Sequence, residues 1–293
     1  MLSHRPLFKQ VTIVGLGLIG GSLGMAIRRK HLAQRVIGFS RREATIREAK
    51  AKGAIDDGDT EFCPDWLGAS DLVIIATPPS AVEKVAREIA RLTRHSFILT
   101  DVASTKAQIV RKLERLPKRI AYVGFHPMAG SEHSGVRFAQ ADLFDQAVCV
   151  LTPTSHSDRR AVRKLFAFWQ AAGMKVLSYT PARHDTAVAQ VSHVPHLAAF
   201  ALALSADPKA FPLAAGGFAD TTRIAMSDPA LWVDICRTNR KEVIRGLDRV
   251  IKQLKRFRGW IAAQDQKRLQ QALQRARRNR QILAKMTGRS RTR

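Results

Sequence analysis

Eight residues near the amino terminus, GLGLIGGS at 15–22, constrain the fold more than any other stretch. Gly15, Gly17 and Gly20 have the spacing GxGxxG, between the apolar run VTIV and a helical pattern. In that context the first glycine permits a tight turn, the second lets the backbone approach a phosphate, and the third allows close packing of helix on strand. The stretch therefore predicts a dinucleotide site with the pyrophosphate at the helix amino terminus. We assign these residues to cofactor binding: Gly15, Leu16, Gly17, Leu18, Ile19 and Gly20, with Thr77 and Pro78 after a later strand.

Strand and helix patterns alternate through the first half of the chain. Strands are predicted at VTIVGL, RVIGFS, DLVIIATPP, SFILTDVAS, AYVGFHP and AVCVLTP. Apolar residues at three-and-four spacing between them, as in AVEKVAREIARL, indicate helices. Such alternation predicts a parallel sheet with helices on both faces, which is a Rossmann-type α/β domain.

Helical patterns replace strand patterns after about residue 180. We therefore predict a dinucleotide-binding domain at 1–180, an all-α substrate and dimerisation domain at 181–275, and a basic tail at 276–293. Long helices with apolar stripes in a small domain often complete their core with a second copy, so we expect a homodimer.

The net charge of +25 raises the question of nucleic-acid binding. The stretch 251–293 holds 14 of the Lys and Arg residues and one Asp, so about half of the excess lies at the carboxyl end. A basic end also raises solubility, and charge alone gives no base readout. We expect no specific nucleic-acid binding.

The remaining bulk features favour a soluble cytoplasmic protein. The apolar run HLAAFALALSA is shorter than a bilayer-spanning helix, so we expect no membrane segment. Cys63, Cys149 and Cys236 are far apart in sequence, which argues against a disulfide framework or a zinc site and for a reducing compartment. We expect no metal.

The second predicted strand ends in GFSRRE, and this end selects the cofactor. NAD enzymes usually place Asp or Glu there to bind the ribose 2′-hydroxyl. This chain has Ser40, Arg41 and Arg42 instead, and guanidinium groups suit a 2′-phosphate. We predict that NADP is preferred and NAD is the second cofactor; the alternative is that both arginines are ordinary surface charges.

Two residues follow predicted strands where an open α/β sheet binds its ligands. His126 follows AYVGF and Ser104 follows FILTDVA. A hydride-transfer site needs a group that accepts the proton of the substrate hydroxyl, and histidine can do so near neutral pH. His126 is the candidate catalyst.

Five blocks together are similar to those of the prephenate/arogenate dehydrogenase family of tyrosine biosynthesis. They are VGLGLIGGSL, DVASTK, GFHPMAGSEHSG, VSHVPHLAAFAL and GGFADTTRIAMSDPALW, in the family's order from about residue 10 to 260. The resemblance implies NAD(P)-dependent oxidative decarboxylation, of prephenate to 4-hydroxyphenylpyruvate or of arogenate to tyrosine, without a metal.

The resemblance also implies roles for single residues. His126 matches the family base, and Ser104 the serine that helps to hold that histidine and the substrate hydroxyl. Arg223 matches the arginine that binds a substrate carboxylate, a task suited to a guanidinium fork. The other matching positions are His193 and His196 on the helix over the pocket, and Glu132 and Asp220 near the site entrance.

Several alternatives stay open at this stage. His193 and His196 could be core histidines bonded to the backbone, and Arg223 could pair with Asp220 or Asp228. Residue 219 is alanine where some prephenate-preferring relatives have a basic residue, so the choice between prephenate and arogenate is open. The competing functions are another NADP-linked hydroxyacid or imine reductase, and a non-catalytic nucleotide-sensing protein that binds nucleic acid through the basic tail.

Overall fold

The computed structural model describes residues 6–131 and 133–286. Its larger sheet contains strands β1 (Phe8–Val14), β2 (Ala33–Phe39), β3 (Asp57–Asp59), β4 (Leu72–Ile75), β5 (Phe97–Asp101) and β6 (Ile120–Tyr122). The spatial order is β3-β2-β1-β4-β5-β6, and every neighbouring pair is parallel. The order reverses between β1 and β4, which is where open α/β sheets bind nucleotides.

Helices cover both faces of this sheet. They are α1 (Leu18–Arg29), α2 (Glu43–Ala51), α3 (Pro64–Gly68), α4 (Val82–Leu92) and α5 (Ala107–Leu113). Leu23 of α1 and Ile46 of α2 belong to one buried apolar core, and Ile89 of α4 and Ile109 of α5 belong to a second. The apolar strands lie between the two cores, which confirms the predicted doubly covered parallel sheet.

A second, smaller sheet holds β7 (Gly124–Pro127), β8 (Val148–Thr152) and β9 (Lys175–Ser178), with helix α6 (Arg159–Ala171) between the last two. β7 and β8 are antiparallel, and β8 and β9 are parallel. The prediction of one strand through AYVGFHP is therefore wrong. Val123 still donates to Leu99 O of β5 at 3.0 Å, but Gly124 already pairs with Thr152 of the second sheet.

The rest of the described chain is helical, as predicted. It contains α7 (Pro181–Val188), a π-turn (Ala189–His193), α8 (Val194–Ser205), α9 (Gly216–Thr222), a 3-10 turn (Arg223–Met226), α10 (Pro229–Thr238), α11 (Arg240–Ala262) and α12 (Gln266–Met286). Because α12 continues to Met286, the first part of the predicted basic tail is helix.

The chain divides into two compact units, one up to Val243 and one from Ile244 onward. The first unit extends beyond the predicted domain boundary at residue 180. Asp185 of α7 accepts hydrogen bonds from the backbone of Lys106 and Ala107, and Asn239 donates to Asp185 O. These bonds connect the first helical segments to the nucleotide-binding part of the chain.

One helical segment, Pro181–Ser205, is long and apolar enough to cross a membrane by length and composition alone. This helix is longer than the apolar run HLAAFALALSA from which we predicted a segment too short to span a bilayer, because it begins well before that run and Pro195 does not end it. Three polar residues of the segment, His184, Asp185 and His193, are buried and hydrogen-bonded within the fold. We therefore interpret the segment as part of the helical domain.

Candidate active site

His126 lies on β7 with its side chain buried, 7% exposed. The preceding residue, Phe125, stacks on Trp169 of α6, with ring centroids 3.9 Å apart and an interplanar angle of 6°. Successive side chains of a strand point to opposite faces. The packing of Phe125 into the core therefore directs His126 to the other face, where α7 lies.

A chain of hydrogen bonds runs from His126 into α7. His126 Nδ1 lies 2.8 Å from His184 Nε2, and His184 Nδ1 lies 2.8 Å from Asp185 Oδ1. Asp185 also accepts from the backbone of Lys106 at 2.7 Å and of Ala107 at 2.8 Å, at the start of α5. Thus β7, α7 and α5 together position the candidate base.

A buried ion pair orders the loop between β5 and α5. The ammonium of Lys106 contacts Asp101 Oδ1, the hydroxyl of Tyr122 donates to Asp101 Oδ2 at 2.7 Å, and Ala103 N donates to Asp101 at 2.9 Å. Burial lowers the pKa of Lys106, and Asp101 opposes that shift. Burial and the nearby Asp101 raise the pKa of Tyr122 well above its usual value. Asp101 therefore orders its loop through these three contacts.

The electrostatics of the site keep His126 neutral. Burial lowers the pKa of His126 well below 6.5, and the neighbouring His184, Lys106 and His193 lower it further. A neutral imidazole has one nitrogen that can accept a proton. His126 thus has the protonation state that a general base requires.

His193 lies at the end of the π-turn and is 1% exposed. The amide nitrogen of Asn239 donates to Asp185 O at 2.9 Å and lies 3.3 Å from His193 Nδ1. Since that amide nitrogen can only donate, Nδ1 accepts and the proton of the neutral ring is on Nε2. Among the described residues this buried Nε2 has no hydrogen-bond partner. Burial lowers the pKa of His193 to about 4, so its Nε2–H is a neutral donor that a ligand can use.

His196 lies one helical turn after Ser192 and is half-buried. Its Nδ1 lies 2.9 Å from Ser192 O, and its ring stacks on Trp232 of α10. Burial lowers the pKa of His196, and the positive charge of Arg223 lowers it further. His196, Arg223 and Trp232 therefore belong to one cluster.

The glycine loop has the backbone that a dinucleotide site needs. Gly15 has φ +100°, which favours glycine, and a Cβ on Gly20 would lie 1.9 Å from Gly15 O. A Cβ on Gly17 would meet no protein atom within 4 Å, so space beside the amino terminus of α1 is open. Thr77 Oγ1, across from Gly15, is buried and has no partner among the described residues. These features fit a bound dinucleotide.

The other predicted cofactor residues lie around the same loop. The side chain of Leu16 is in the core, and Ile19 packs against that core. The part of Leu16 that can face a ligand is therefore its backbone. Pro78 is exposed. Ser40 is half-buried at the end of β2, and Arg41 and Arg42 are exposed. Within residues 6–131 and 133–286 neither guanidinium forms an ion pair.

Comparison with known proteins decides the family. The family model "Prephenate dehydrogenase, nucleotide-binding domain" matches residues 23–178, and "Prephenate dehydrogenase, dimerization domain" matches 180–275. A prephenate dehydrogenase of Bacillus subtilis is 36% identical over 88% of this chain and 72% of its own length. The chain belongs to the prephenate dehydrogenase family.

Solved structures of the family agree with this assignment. The chain is similar to prephenate dehydrogenase from Aquifex aeolicus in complex with hydroxyphenyl propionate and NAD+, at 31% identity and a TM-score of 0.88, over 96% of this chain and 99% of the other. It is also similar to Synechocystis arogenate dehydrogenase, at 29% identity and a TM-score of 0.79, over 94% and 99%. As a member of the prephenate dehydrogenase family, the chain is an oxidoreductase with a nicotinamide dinucleotide cofactor.

In this family member the structure brings some predicted site residues together. His126 and His193 lie around Asp185, and His196 lies near Arg223. Ser104 is half-buried between β5 and α5, and none of the hydrogen bonds of the described residues joins it to His126, so its role stays a prediction. Asp220 is exposed on α9, and Glu132 lies outside the described residues.

No group of three or more His, Cys, Asp or Glu side chains in the described part of the chain could hold a metal ion. His126 was predicted from the sequence as the candidate base, but four neighbouring residues were not predicted: His184 and Asp185 behind His126, Asn239 beside His193, and Trp232 against His196. The adjacent pair His184–Asp185 and the family block around Trp232 are present in the sequence, but neither shows which distant residue it contacts.

Proposed function

We propose that this chain catalyses the NAD(P)-dependent oxidative decarboxylation of prephenate or arogenate, in tyrosine biosynthesis. One observation carries the proposal: His126 is buried and neutral, and its Nδ1 is occupied by His184, so Nε2 is the nitrogen left for a substrate. The names of the relatives from Bacillus subtilis and Synechocystis support the two substrates.

In the proposed reaction His126 Nε2 accepts the proton of the ring hydroxyl. A dinucleotide held at the glycine loop beside Thr77 would supply the nicotinamide that accepts the hydride of the carbinol carbon. The bond from the ring to its carboxylate breaks, carbon dioxide leaves, and the released electron pair makes the ring aromatic with a phenolate oxygen. That oxygen takes the proton back from His126. Protons and electrons then balance without a metal, and aromatisation makes the step favourable.

Substrate binding would use the cluster around His196. Arg223 presents a positive charge near His196, and a guanidinium binds a carboxylate in a forked geometry. His193 offers an Nε2–H for a substrate or cofactor oxygen. Ala219 and Asp220 are exposed on α9, and neither residue excludes a substrate with a keto-acid or an amino-acid side chain. Prephenate and arogenate are therefore both assayed.

We propose that NADP is preferred to NAD. Ser40 directly follows β2, where an NAD enzyme usually has a carboxylate, and Arg41 and Arg42 are exposed beside it. The relative from Aquifex aeolicus was crystallised with NAD+. The proposed preference for NADP rests on Ser40, Arg41 and Arg42 of this chain, and substitution of Arg41 tests it.

We propose a homodimer formed through the helical domain. Large apolar side chains of the first compact unit are exposed there: Val191, Leu204, Leu213, Met226 and Val233. An exposed apolar surface of this kind is expected where two copies pack. Sedimentation at micromolar concentration should give twice the mass of the chain. We also propose a cytoplasmic location, which suits the three free cysteines.

The experiment that tests the proposed function is one set of assays. Purified protein is given prephenate or arogenate with NADP or NAD, and reduction of the nicotinamide is followed by absorbance. Turnover with at least one pair supports the proposal, and the ratio between pairs identifies the preferred substrate and cofactor. Absence of turnover with all four pairs contradicts it.

A further inference from the structure

Asp185 is surrounded by N–H groups. The backbone N–H of Lys106 donates to Oδ1 and that of Ala107 to Oδ2, and His184 Nδ1 lies 2.8 Å from Oδ1. The two backbone groups come from the amino-terminal end of α5, which carries a partial positive charge. A carboxylate in this position accepts from every neighbour. His184 Nδ1 therefore carries a proton and donates it to Asp185.

The protonation of His184 Nδ1 determines the other side of the ring. Burial lowers the pKa of His184, although Asp185 opposes the shift, so the ring is neutral and has one proton. With that proton on Nδ1, Nε2 has a lone pair. His184 Nε2 lies 2.8 Å from His126 Nδ1, so His126 Nδ1 must be the donor of this bond.

We infer that Asp185 and His184 are positioning residues that hold His126 in the Nδ1–H tautomer and so keep its Nε2 lone pair for the substrate hydroxyl. The inference deepens the proposed function and rests on it for the identity of the hydroxyl. Neither residue needs to touch the substrate. Each acts by fixing which nitrogen of the next ring carries the proton, a familiar role of second partners of catalytic histidines.

The reverse arrangement, in which His184 Nε2 donates to His126 Nδ1, is disfavoured by the groups around the two histidines. It requires His184 as an imidazolium, or Asp185 as a protonated acid beside two backbone donors. An imidazolium at His184 would be buried with the ammonium of Lys106 nearby, which lowers the pKa of His184. Asp101 raises the pKa of His184, but its carboxylate is already bonded to Lys106 and to Tyr122. His193, on the other side, is neutral.

The first test is the tautomer itself, observed in the unmodified protein. Protein labelled with ¹⁵N-histidine is studied by NMR, and the His126 signals are assigned as those lost in a His126→Asn variant. We expect Nδ1 of His126 to be protonated and Nε2 to be unprotonated at pH 7.5. A His126 ring protonated on Nε2 and unprotonated on Nδ1 overturns the inference. The result does not depend on turnover, so it separates this inference from the proposed function.

The second test is a matched pair of substitutions at His184. A Gln side chain offers a carbonyl oxygen to His126 Nδ1–H, and Phe keeps the bulk without an acceptor. We expect His184→Phe to lower kcat by about 10- to 100-fold, part of the roughly 10²–10⁴-fold that a positioned base contributes. His184→Gln should recover most of that loss, and the KM for each ligand should change less than about threefold in both. His156→Phe, at an exposed histidine, is the control.

The kinetic outcomes are distinct. A purely structural role for His184 predicts equal losses for Gln and Phe, or a loss that appears in KM, and either result overturns the inference. If His184→Phe does not fold, the NMR measurement on the unmodified protein still decides. If the unmodified protein turns over none of the proposed substrates, the proposed function fails while the tautomer remains a measured property of the ring.

Discussion

The indole ring of Trp232 stacks on the imidazole of His196, with ring centroids 3.9 Å apart and an interplanar angle of 24°. The same imidazole is bonded through Nδ1 to Ser192 O. The stack and the hydrogen bond fix the ring from two sides. The imidazole ring of His196 therefore has one orientation in the cluster with Arg223, and its Nε2 points away from Ser192.

Substitution of Trp232 should weaken substrate binding. A stacked aromatic pair contributes about 0.5–1.5 kcal/mol, so Trp232→Leu should raise the substrate KM by about two- to tenfold with little change in kcat. Trp232→Phe keeps the stack and should stay within about twofold of the original KM. Steady-state kinetics of both variants measure the difference. Equal KM values for Leu and Phe would show that the stack does not orient His196.

The pH dependence of turnover should reflect the lowered pKa of His126. A base works in its deprotonated form, and burial holds the pKa of His126 well below 6.5. Hence kcat/KM should be independent of pH from about 6.5 upward to mild alkalinity and fall only on further acidification. A rate profile from pH 4.5 to 8.5 measures this. An acidic limb with its midpoint above pH 6.5 would contradict the account.

Arg41 should determine the discrimination between the two cofactors. A charge-assisted hydrogen bond is worth about 1.5–3 kcal/mol, so Arg41→Ala should reduce the preference for NADP by roughly 10-fold or more. Arg115 is also exposed and serves as the matched control, since Arg115→Ala should leave the ratio unchanged. The ratio of kcat/KM for NADP and NAD is the quantity to measure. An unchanged ratio in Arg41→Ala removes the predicted preference.

The buried pair of Lys106 and Asp101 should be sensitive to removal of one partner. Lys106→Met leaves Asp101 buried without its cation, and such changes cost about 3–5 kcal/mol of unfolding free energy. The double variant with Asp101→Asn should lose less than the single Lys106→Met variant, because no uncompensated charge remains. Thermal or denaturant unfolding compares the three proteins. A double variant less stable than the single would contradict this explanation.

The parts of the fold that depend on local sequence were predictable. The glycine loop, the alternation of apolar runs with helical spacing, and the change to helices after residue 180 are properties of short stretches. The break at Val123 was not predictable in the same way. Nothing local ends the strand there; the chain leaves the first sheet because Gly124 and the residues after it pair with β8, which is distant in sequence.

The residues of the candidate site also differ in whether the local sequence could predict them. His126 was predicted as the base because it follows the apolar run AYVGF, where an open α/β sheet binds its ligands, and because the family resemblance supports it. His184 could not be assigned to it, because the bond joins residues 58 positions apart on a strand and a helix. Asn239 was missed because the sequence pattern continues as one helix, whereas the structure ends α10 at Thr238 and uses Asn239 to bond Asp185 and His193.

In the proposed reaction His126 acts as the base of a decarboxylating oxidation. The most direct measurement is the yield of carbon dioxide for each nicotinamide reduced, with the preferred substrate, in the unmodified protein and in His126→Asn. We predict one carbon dioxide per reduced nicotinamide in the unmodified protein, and rates of both lower by about 10²–10⁴-fold in the variant with dinucleotide binding retained. Nicotinamide reduction without carbon dioxide, or a variant as fast as the unmodified protein, would contradict the account.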